Sequence, residues 1–323
     1  MQLKILLKPF LFLFSQFLIC KSYRRLFSNI TFSVYNEYST NNPEDHDTTR
    51  LLSPLKPDDH LIQKLPGLDN DSITHYAGHL PIGDKGGQLF YWLIEAEDSL
   101  KASSLPILIW LNGGPGCSSM DGLWLELGPF RLSNDGKKVS INPYSWHKVA
   151  NLLFIDQPVG TGLAFTTSPN GYAKSDNTVN EHFYFFLQEF FTLHKKYISK
   201  TPGKTTSNPL FIVGESHAGH YIPNMAAHIL RKNKEVSDKV IINLQGISLG
   251  NPWIDPYNQY DVSDLAHGLG LISLGQKNKM KEQEKDCRFL LKQGKYNQNV
   301  CFSLLDRVVD AAGTGNSQVI DII

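Results

Sequence analysis

From Leu61 onward the chain alternates short apolar runs with longer stretches whose apolar positions recur every three to four residues. Four runs, "LPILIWLNGG" (105–114), "ANLLFIDQP" (150–158), "NPLFIVGES" (208–216) and "KVIINLQGISLGN" (239–251), are apolar at successive positions. That pattern predicts strands buried on both faces, as in a parallel sheet. Ahead of them, "SITHYAGHLPI" and "QLFYWLIEAE" flank "GDKGG" and predict an antiparallel hairpin. Between the second and third runs, Val179, Phe183, Phe186, Leu187 and Phe190 form one stripe of a helix over about residues 176–199. Asp176 or Thr178 is expected to cap its start, Thr178 with Glu181 in a capping box. A second helix follows residue 216 through "AGHYIPNMAAHILRKN". Strands alternating with helices imply an α/β fold, a mostly parallel sheet with helices on both faces. Residues 263–312 are charged, helical in pattern and punctuated by glycine, which suits a helical cap or a small second domain better than sheet.

The N-terminus breaks this pattern. Lys4 and Lys8 precede "PFLFLFSQFLIC" (9–20), too short to cross a bilayer but suited to the core of a signal peptide over residues 1–22, cleaved near Cys20–Tyr23. A buried helix or a short anchor is the alternative. Residues 23–60, with "TNNPEDHDTT", read as a loosely ordered propeptide or linker. The core is then expected over 61–262 and the helical cap over 263–323. No later stretch is long and apolar enough to span a membrane, so the mature chain is expected in the secretory lumen, in a vacuolar or lysosomal compartment, or outside the cell. Asn29 and Asn70 begin glycosylation sequons. Cys287 and Cys301 suit a disulfide in an oxidising compartment, Cys20 lies at the edge of the signal, and Cys117 is then the odd cysteine. With 31 basic and 31 acidic residues interspersed among 323, charge offers no electrostatic case for nucleic acid.

The chemistry gathers at "VGESHAGHY" (213–221). Ser216 follows an apolar strand, precedes a helix and has small neighbours, as a nucleophile elbow requires, although the usual G-x-S-x-G is modified to Gly214-Glu215-Ser216-His217-Ala218. An oxyanion hole needs backbone N–H donors. One is expected from His217, the other from Gly114 in the glycine-rich turn "WLNGGPGCSS" (110–119), at the carboxyl edge of a buried strand where ligands bind. A plain tight turn is the alternative. This chemistry needs no metal and no cofactor.

On these residues the chain resembles the serine carboxypeptidases, acidic exopeptidases that include carboxypeptidase Y. The resemblance rests on "LPG" (65–67), "YAGHL" (76–80), "LFYWLIEAE" (89–97), "LPILIWLNGGPGCSSMDGLWLELGPF" (105–130), "NPYSWHKVANLLFIDQPVGTGLAF" (142–165), "GESHAGHYIP" (214–223) and "GNPWIDP" (250–256). It implies an α/β-hydrolase fold, peptide or protein C-termini as substrate, and release of one residue per turnover. "SSMDG" (118–122) leans toward the processing members that trim C-terminal Lys or Arg. An exopeptidase must hold a free carboxylate. Asn112 can donate from its amide, Gly113 from its backbone, and Glu126 and Glu215 from O–H groups if they are protonated. The bland alternatives are a surface Glu126 and a Glu215 that serves only the elbow. Trp110 is expected to wall the pocket or to be a core tryptophan. His217 departs from the tyrosine that family members usually carry there, which leaves the backbone donor intact and changes the pocket.

The serine also needs a histidine base and an orienting acid. Downstream of Ser216 stand only His217, His220, His228 and His267. The first points its ring away from the elbow, and the next two sit on the following helix as packing or surface residues. A triad of Ser216, Asp255 and His267 can be constructed, but "GNPWIDP" does not supply the acid in the family. The family's acid and histidine lie in motifs like "YSGDAD" and "GAGHMVP", which do not occur here. The chain therefore resembles about the first two thirds of an enzyme lacking its final strands, and in relatives the counterpart of Cys117 pairs beyond this region. An inactive short form acting as a binding protein, and a carboxypeptidase-like acyltransferase, are the alternative readings.

Overall fold

The computed structural model describes residues 55–69, 72–83, 85–98, 101–199, 205–235, 239–296 and 298–311. The signal segment, Asn29, Asn70 and residues 23–54 of the expected linker lie outside them. The chain divides into two compact units, with the break between Pro252 and Trp253.

In the first unit the hairpin is β1 (His75–Pro81) and β2 (Gly87–Ile94). The apolar runs become β3 (Ile107–Leu111), β6 (Asn151–Asp156), β8 (Leu210–Glu215) and β9 (Leu244–Gly250). Two short strands, β4 (Phe130–Leu132) and β5 (Val139–Ile141), form a separate ribbon, and β7 (Phe165–Thr166) adds to β2. The main sheet runs β1-β2-β6-β3-β8-β9. β1, β2 and β6 pair antiparallel, while β6, β3, β8 and β9 are parallel. Within the expected linker, Pro57–His60 form a 3-10 turn, and His60 bonds the Tyr91 hydroxyl at 2.8 Å.

The central strands are buried on both faces, as their sequence requires. Ile107, Ile109 and Leu111 of β3 enter one cluster, with Leu153 and Ile155 of β6 and Leu210 and Ile212 of β8. Trp110, Phe154 and Val213 enter the other. β9 differs: it is the last strand in sheet order, it pairs with β8 alone, and Ile247 is exposed. Its apolar residues describe a strand, but not one covered on both faces.

Helix α1 (Asp176–Leu193) and helix α2 (Ala218–Lys232) both pack into the first cluster, through Phe183, Phe186, Leu187 and Phe190 and through Ile222, Met225 and Ile229. Helices on both faces were expected. In this unit the second face is instead covered by the connection from β3 to β6, with Leu123, Trp124, Leu127 and Phe130. Strand order explains this. The steps β6 to β8 and β8 to β9 move the same way across the sheet, so right-handed crossovers put α1 and α2 on one face. The step from β3 back to β6 moves the opposite way, so its connection crosses the other face. The cap of α1 is Ser175, one residue before the expected start, whose hydroxyl accepts from Thr178 N at 3.3 Å.

The second unit is helical, as its charged, glycine-punctuated sequence predicts: α3 (Pro256–Gln259), α4 (Ser263–Gly268), α5 (Leu274–Lys292) and α6 (Asn299–Ala311). Its small core includes Tyr260, Met280, Leu291 and Leu304, and the expected Cys287–Cys301 disulfide joins α5 to α6. Buried Glu284 accepts the N–H groups of Val262 and Ser263 at 3.0 and 2.7 Å, at the start of α4. Among the described residues no helix is long and apolar enough to cross a membrane.

Candidate active site

β8 ends at Glu215, and α2 begins at Ala218. Between them Ser216 sits at φ 58°, in the left-handed region that a residue with a Cβ seldom adopts. The turn is held by Ser216 N–H donating to Gly250 O and by Gly219 N–H donating to Ser216 O, both at 3.0 Å. Gly214 has no room for a side chain, since a Cβ there would lie 2.3 Å from Leu111 O and 3.0 Å from the Ala218 Cβ. The modified motif thus keeps its small residues where the strand and helix close on each other.

The glycine-rich turn after β3 touches this elbow. A Cβ on Gly113 would come within 2.5 Å of His217 N and 2.9 Å of the Ser216 Cβ. The two backbone segments expected to supply oxyanion donors are therefore in contact. Neither Gly113 nor Gly114 donates its N–H to an acceptor among the described residues. The turn is stapled to β6. Ser119 Oγ accepts from Asn112 N at 3.2 Å and donates to Ile155 O at 2.6 Å. Asp156 accepts from Ser118 Oγ at 2.7 Å and Ser119 N at 2.9 Å on one oxygen, and from Leu163 N at 2.8 Å on the other. Ser118, Ser119 and Asp156 were not anticipated. Their one signal is an acid placed directly at the end of an apolar strand, in "FIDQP".

Asn112 is the hub of the carboxyl cluster. Its Oδ1 accepts from Trp110 Nε1 at 2.7 Å and from Gly122 N at 3.1 Å. Its Nδ2 donates to Glu215 Oε1 at 2.9 Å and to Glu126 Oε1 at 3.3 Å. Both amide hydrogens are thus engaged by the glutamates. Trp110 is a core residue whose indole N–H orients Asn112.

The Glu215 and Glu126 carboxyls converge on the one Asn112 amide nitrogen, where each disfavours the other's charge and a proton on either can be shared with the other. Burial raises Glu215 to about 8, reinforced by the charges of Glu126 and Asp121. Burial likewise lifts Asp121 to about 7, helped by Asp156 and Glu126. Asp121 is 5 % exposed, with no hydrogen-bond donor to its carboxylate among the described residues. Burial raises Asp156 to about 6 despite its three hydrogen bonds.

The Ser216 hydroxyl has no hydrogen-bond partner among the described residues. The His217 ring packs edge-on against Tyr221, 4.9 Å between centroids, and burial lowers its pKa to about 4. His220 Nε2 lies 3.1 Å from Asp176, and His228 Nε2 lies 3.6 Å from Glu181. Within the helical unit, Asp255 caps α3 and accepts from Asn258, while His267 Nδ1 bonds Ile272 O at 3.0 Å. No hydrogen bond joins Asp255 to His267.

These groups dictate how stability varies with pH. A raised carboxyl keeps its proton in the fold after the unfolded chain has released its own, so stability falls as pH rises from the unfolded value toward the folded one. For Glu215, Asp121 and Asp156 that window runs from about 4 to about 8. A lowered histidine resists a proton that the unfolded chain accepts below 6.5, so stability falls as pH drops from there. His217 and His194, lowered to about 4 and about 3 chiefly by burial, do this, and His60, His79, His147, His182 and His228, all lowered chiefly by burial, add to it. Thermal unfolding across pH is expected to show a maximum between about 4.5 and 6.5, with losses on both sides. A maximum above about 7.5 would contradict these protonation states.

A strained serine between a parallel strand and a helix, beside a glycine turn with unengaged N–H groups, defines the class as an α/β-hydrolase. The comparisons then place it further. The family "Serine carboxypeptidase" (Peptidase_S10) matches residues 66–321. A pheromone-processing carboxypeptidase KEX1 of Phytophthora infestans is 42% identical over 262 residues, covering 80% of this chain and 43% of that protein. Serine carboxypeptidase S10 family member 2 of Dictyostelium discoideum is 39% identical over 274 residues, covering 82% of this chain and 47% of that one. The crystal structure of KEX1(Δ)P, a prohormone-processing carboxypeptidase from Saccharomyces cerevisiae, superposes with TM-score 0.69 at 28% identity, covering 80% of this chain and 58% of that chain. The chain belongs to the serine carboxypeptidase family. It spans less than half the length of the two curated relatives.

Proposed function

We propose that this chain carries the nucleophile, the oxyanion donors and the carboxylate-binding site of a serine carboxypeptidase that releases single C-terminal residues from peptides at acidic pH, within the secretory pathway. The observation that carries the reading is the placement of Glu215. It directly precedes the strained Ser216, and its carboxyl, raised by burial, meets Glu126 on the Asn112 amide, where the two can share a proton. A neutral carboxyl beside the nucleophile can donate to a substrate carboxylate, whereas an ordinary esterase or an acyltransferase has no need of one. Ser216 Oγ would attack the scissile carbonyl carbon and pass its proton to a base. The N–H groups of Gly114 and His217 would hold the oxyanion. The C–N bond would break with the proton delivered to the leaving amine, and water would cleave the acyl-enzyme. Gly113 N–H and the protonated glutamate would hold the substrate carboxylate.

The base and acid of this mechanism are not assigned among the 323 residues. Labelling with a fluorophosphonate probe tests that. Ser216 in this chain is expected to react about 10³–10⁴ times more slowly than the serine of a full-length relative. Labelling at a relative's rate, abolished by His217→Ala, His220→Ala, His228→Ala or His267→Ala, would show that a base is present after all.

A further inference from the structure

Glu126 stands on an unusual piece of backbone. Gly122–Glu126 form a π-helical turn, closed by Leu127 N–H and Gly128 N–H both donating to Gly122 O, at 3.0 and 3.4 Å. Two N–H groups converging on one carbonyl leave later carbonyls of the turn without helical partners. Arg131 serves two of them, Trp124 O and Glu126 O, and the chain just beyond. The two hydrogens of its Nη1 are shared among Trp124 O at 3.2 Å, Gly128 O at 3.2 Å and Phe130 O at 2.8 Å, and its Nη2 donates to Glu126 O. A planar guanidinium with five fixed donors can tie together carbonyls that diverge in this way, and an ammonium on a flexible stem cannot hold the same fork.

The charge of Arg131 is also placed to act. No carboxylate among the described residues lies within ion-pair distance of it, and Glu126 is the acid whose charge it feels. Glu126 is otherwise faced by Glu215 and Asn112, with Asp121 nearby and Asp156 behind Asp121. Glu215, Asp121 and Asp156 are acids. Arg131 is a cation whose charge reaches Glu126, so it bears on where the shared proton sits.

We propose that Arg131 is the positioning residue of the carboxylate site: its guanidinium fixes the Gly122–Phe130 backbone so that Glu126 meets Asn112 and Glu215, and its charge favours an ionised Glu126 with the proton held on Glu215. This rests on the proposed carboxypeptidase reading. The protonated Glu215 is then the donor to the substrate, and Glu126 is the acceptor that orients it.

The test uses the 323-residue chain and N-terminally fluorescein-labelled Ala-Phe-Leu, as the free acid and as the C-terminal amide, with Kd measured by anisotropy from pH 5 to pH 9. Arg131→Met is expected to weaken the acid about tenfold, about 1.4 kcal/mol, and leave the amide unchanged. It is also expected to move the alkaline midpoint of acid binding upward, since removing a cation lets the glutamate pair keep its proton longer. Arg131→Lys keeps the charge and loses the fork, so the midpoint is expected to stay while the acid binds about threefold more weakly. If Arg131→Met fails to fold, Arg131→Lys still reads the acid-specific loss. Variants that melt at lower temperature but keep the wild-type acid-over-amide ratio and midpoint would reduce Arg131 to a structural residue and overturn the proposal. A wild-type chain with no preference for the acid would instead sink the carboxypeptidase reading, and this inference with it.

Discussion

Gly113→Ala is expected to remove peptide binding almost entirely while costing only part of the fold's stability. The added Cβ would lie 2.5 Å from His217 N, 2.9 Å from Glu215 O and 2.9 Å from the Ser216 Cβ. Two of those three contacts are backbone, and the third belongs to the strained serine, so no flexible side chain can yield. Overpacking of this kind costs about 1–3 kcal/mol. The chain would relieve it by separating the glycine turn from the elbow, and that separation parts the donor pair. Affinity for a free-acid peptide should fall by about 100-fold, the effect of a misplacement on the order of 1 Å. Gly116→Ala is the matched control. Nothing lies within 4 Å of its Cβ, but its φ of 88° imposes left-handed strain on alanine. It should lose about 1–2 kcal/mol and keep its binding. Thermal melts paired with peptide titrations separate the two. Wild-type binding in Gly113→Ala would mean that the turn and the elbow do not work together.

The second large effect is on pH dependence. With Glu215 raised to about 8 by burial and by Glu126, the site holds its proton throughout the acidic range. Asp121 gains a charge near 7, and the glutamate pair becomes doubly negative beyond 8. Affinity for a peptide carboxylate should therefore be flat from about pH 5 to 7, begin to fall there, and drop by about tenfold per unit past the Glu215 transition. Glu215→Gln keeps a donor that never ionises, so its curve should lose the steep alkaline limb. If Glu215→Gln and Glu126→Gln both leave the curve unchanged, the carboxyls do not hold the substrate's carboxylate.

Much of this could be read from the residues. Apolar runs without alternation gave away β3, β6 and β8, and the strand–turn–helix setting of Ser216 marked the elbow. The face on which the helices lie could not be read, because it follows from strand order: β3 sits between β6 and β8, and nothing in the local patterns of those runs encodes that. The α1 cap was expected at Asp176 or Thr178, one or three residues too late, because Ser175, Asp176, Asn177 and Thr178 are all competent caps and only backbone geometry selects Ser175. Asn112 was expected to offer its amide to substrate, whereas both hydrogens are committed to the glutamates. Arg131, inside "GPFRL", looks like any arginine in a polar turn until the backbone folds the carbonyls of Trp124, Glu126, Gly128 and Phe130 around it.

The central claim is that a proton shared between Glu215 and Glu126 makes this pocket a receptor for a peptide's terminal carboxylate. The most direct measurement is the affinity of the wild-type chain for one peptide as free acid and as C-terminal amide, compared at pH 5 and pH 9. The account predicts that the acid binds at least tenfold tighter than the amide at pH 5 and loses that advantage at pH 9. Equal affinities at pH 5, or an acid preference unchanged at pH 9, would contradict it.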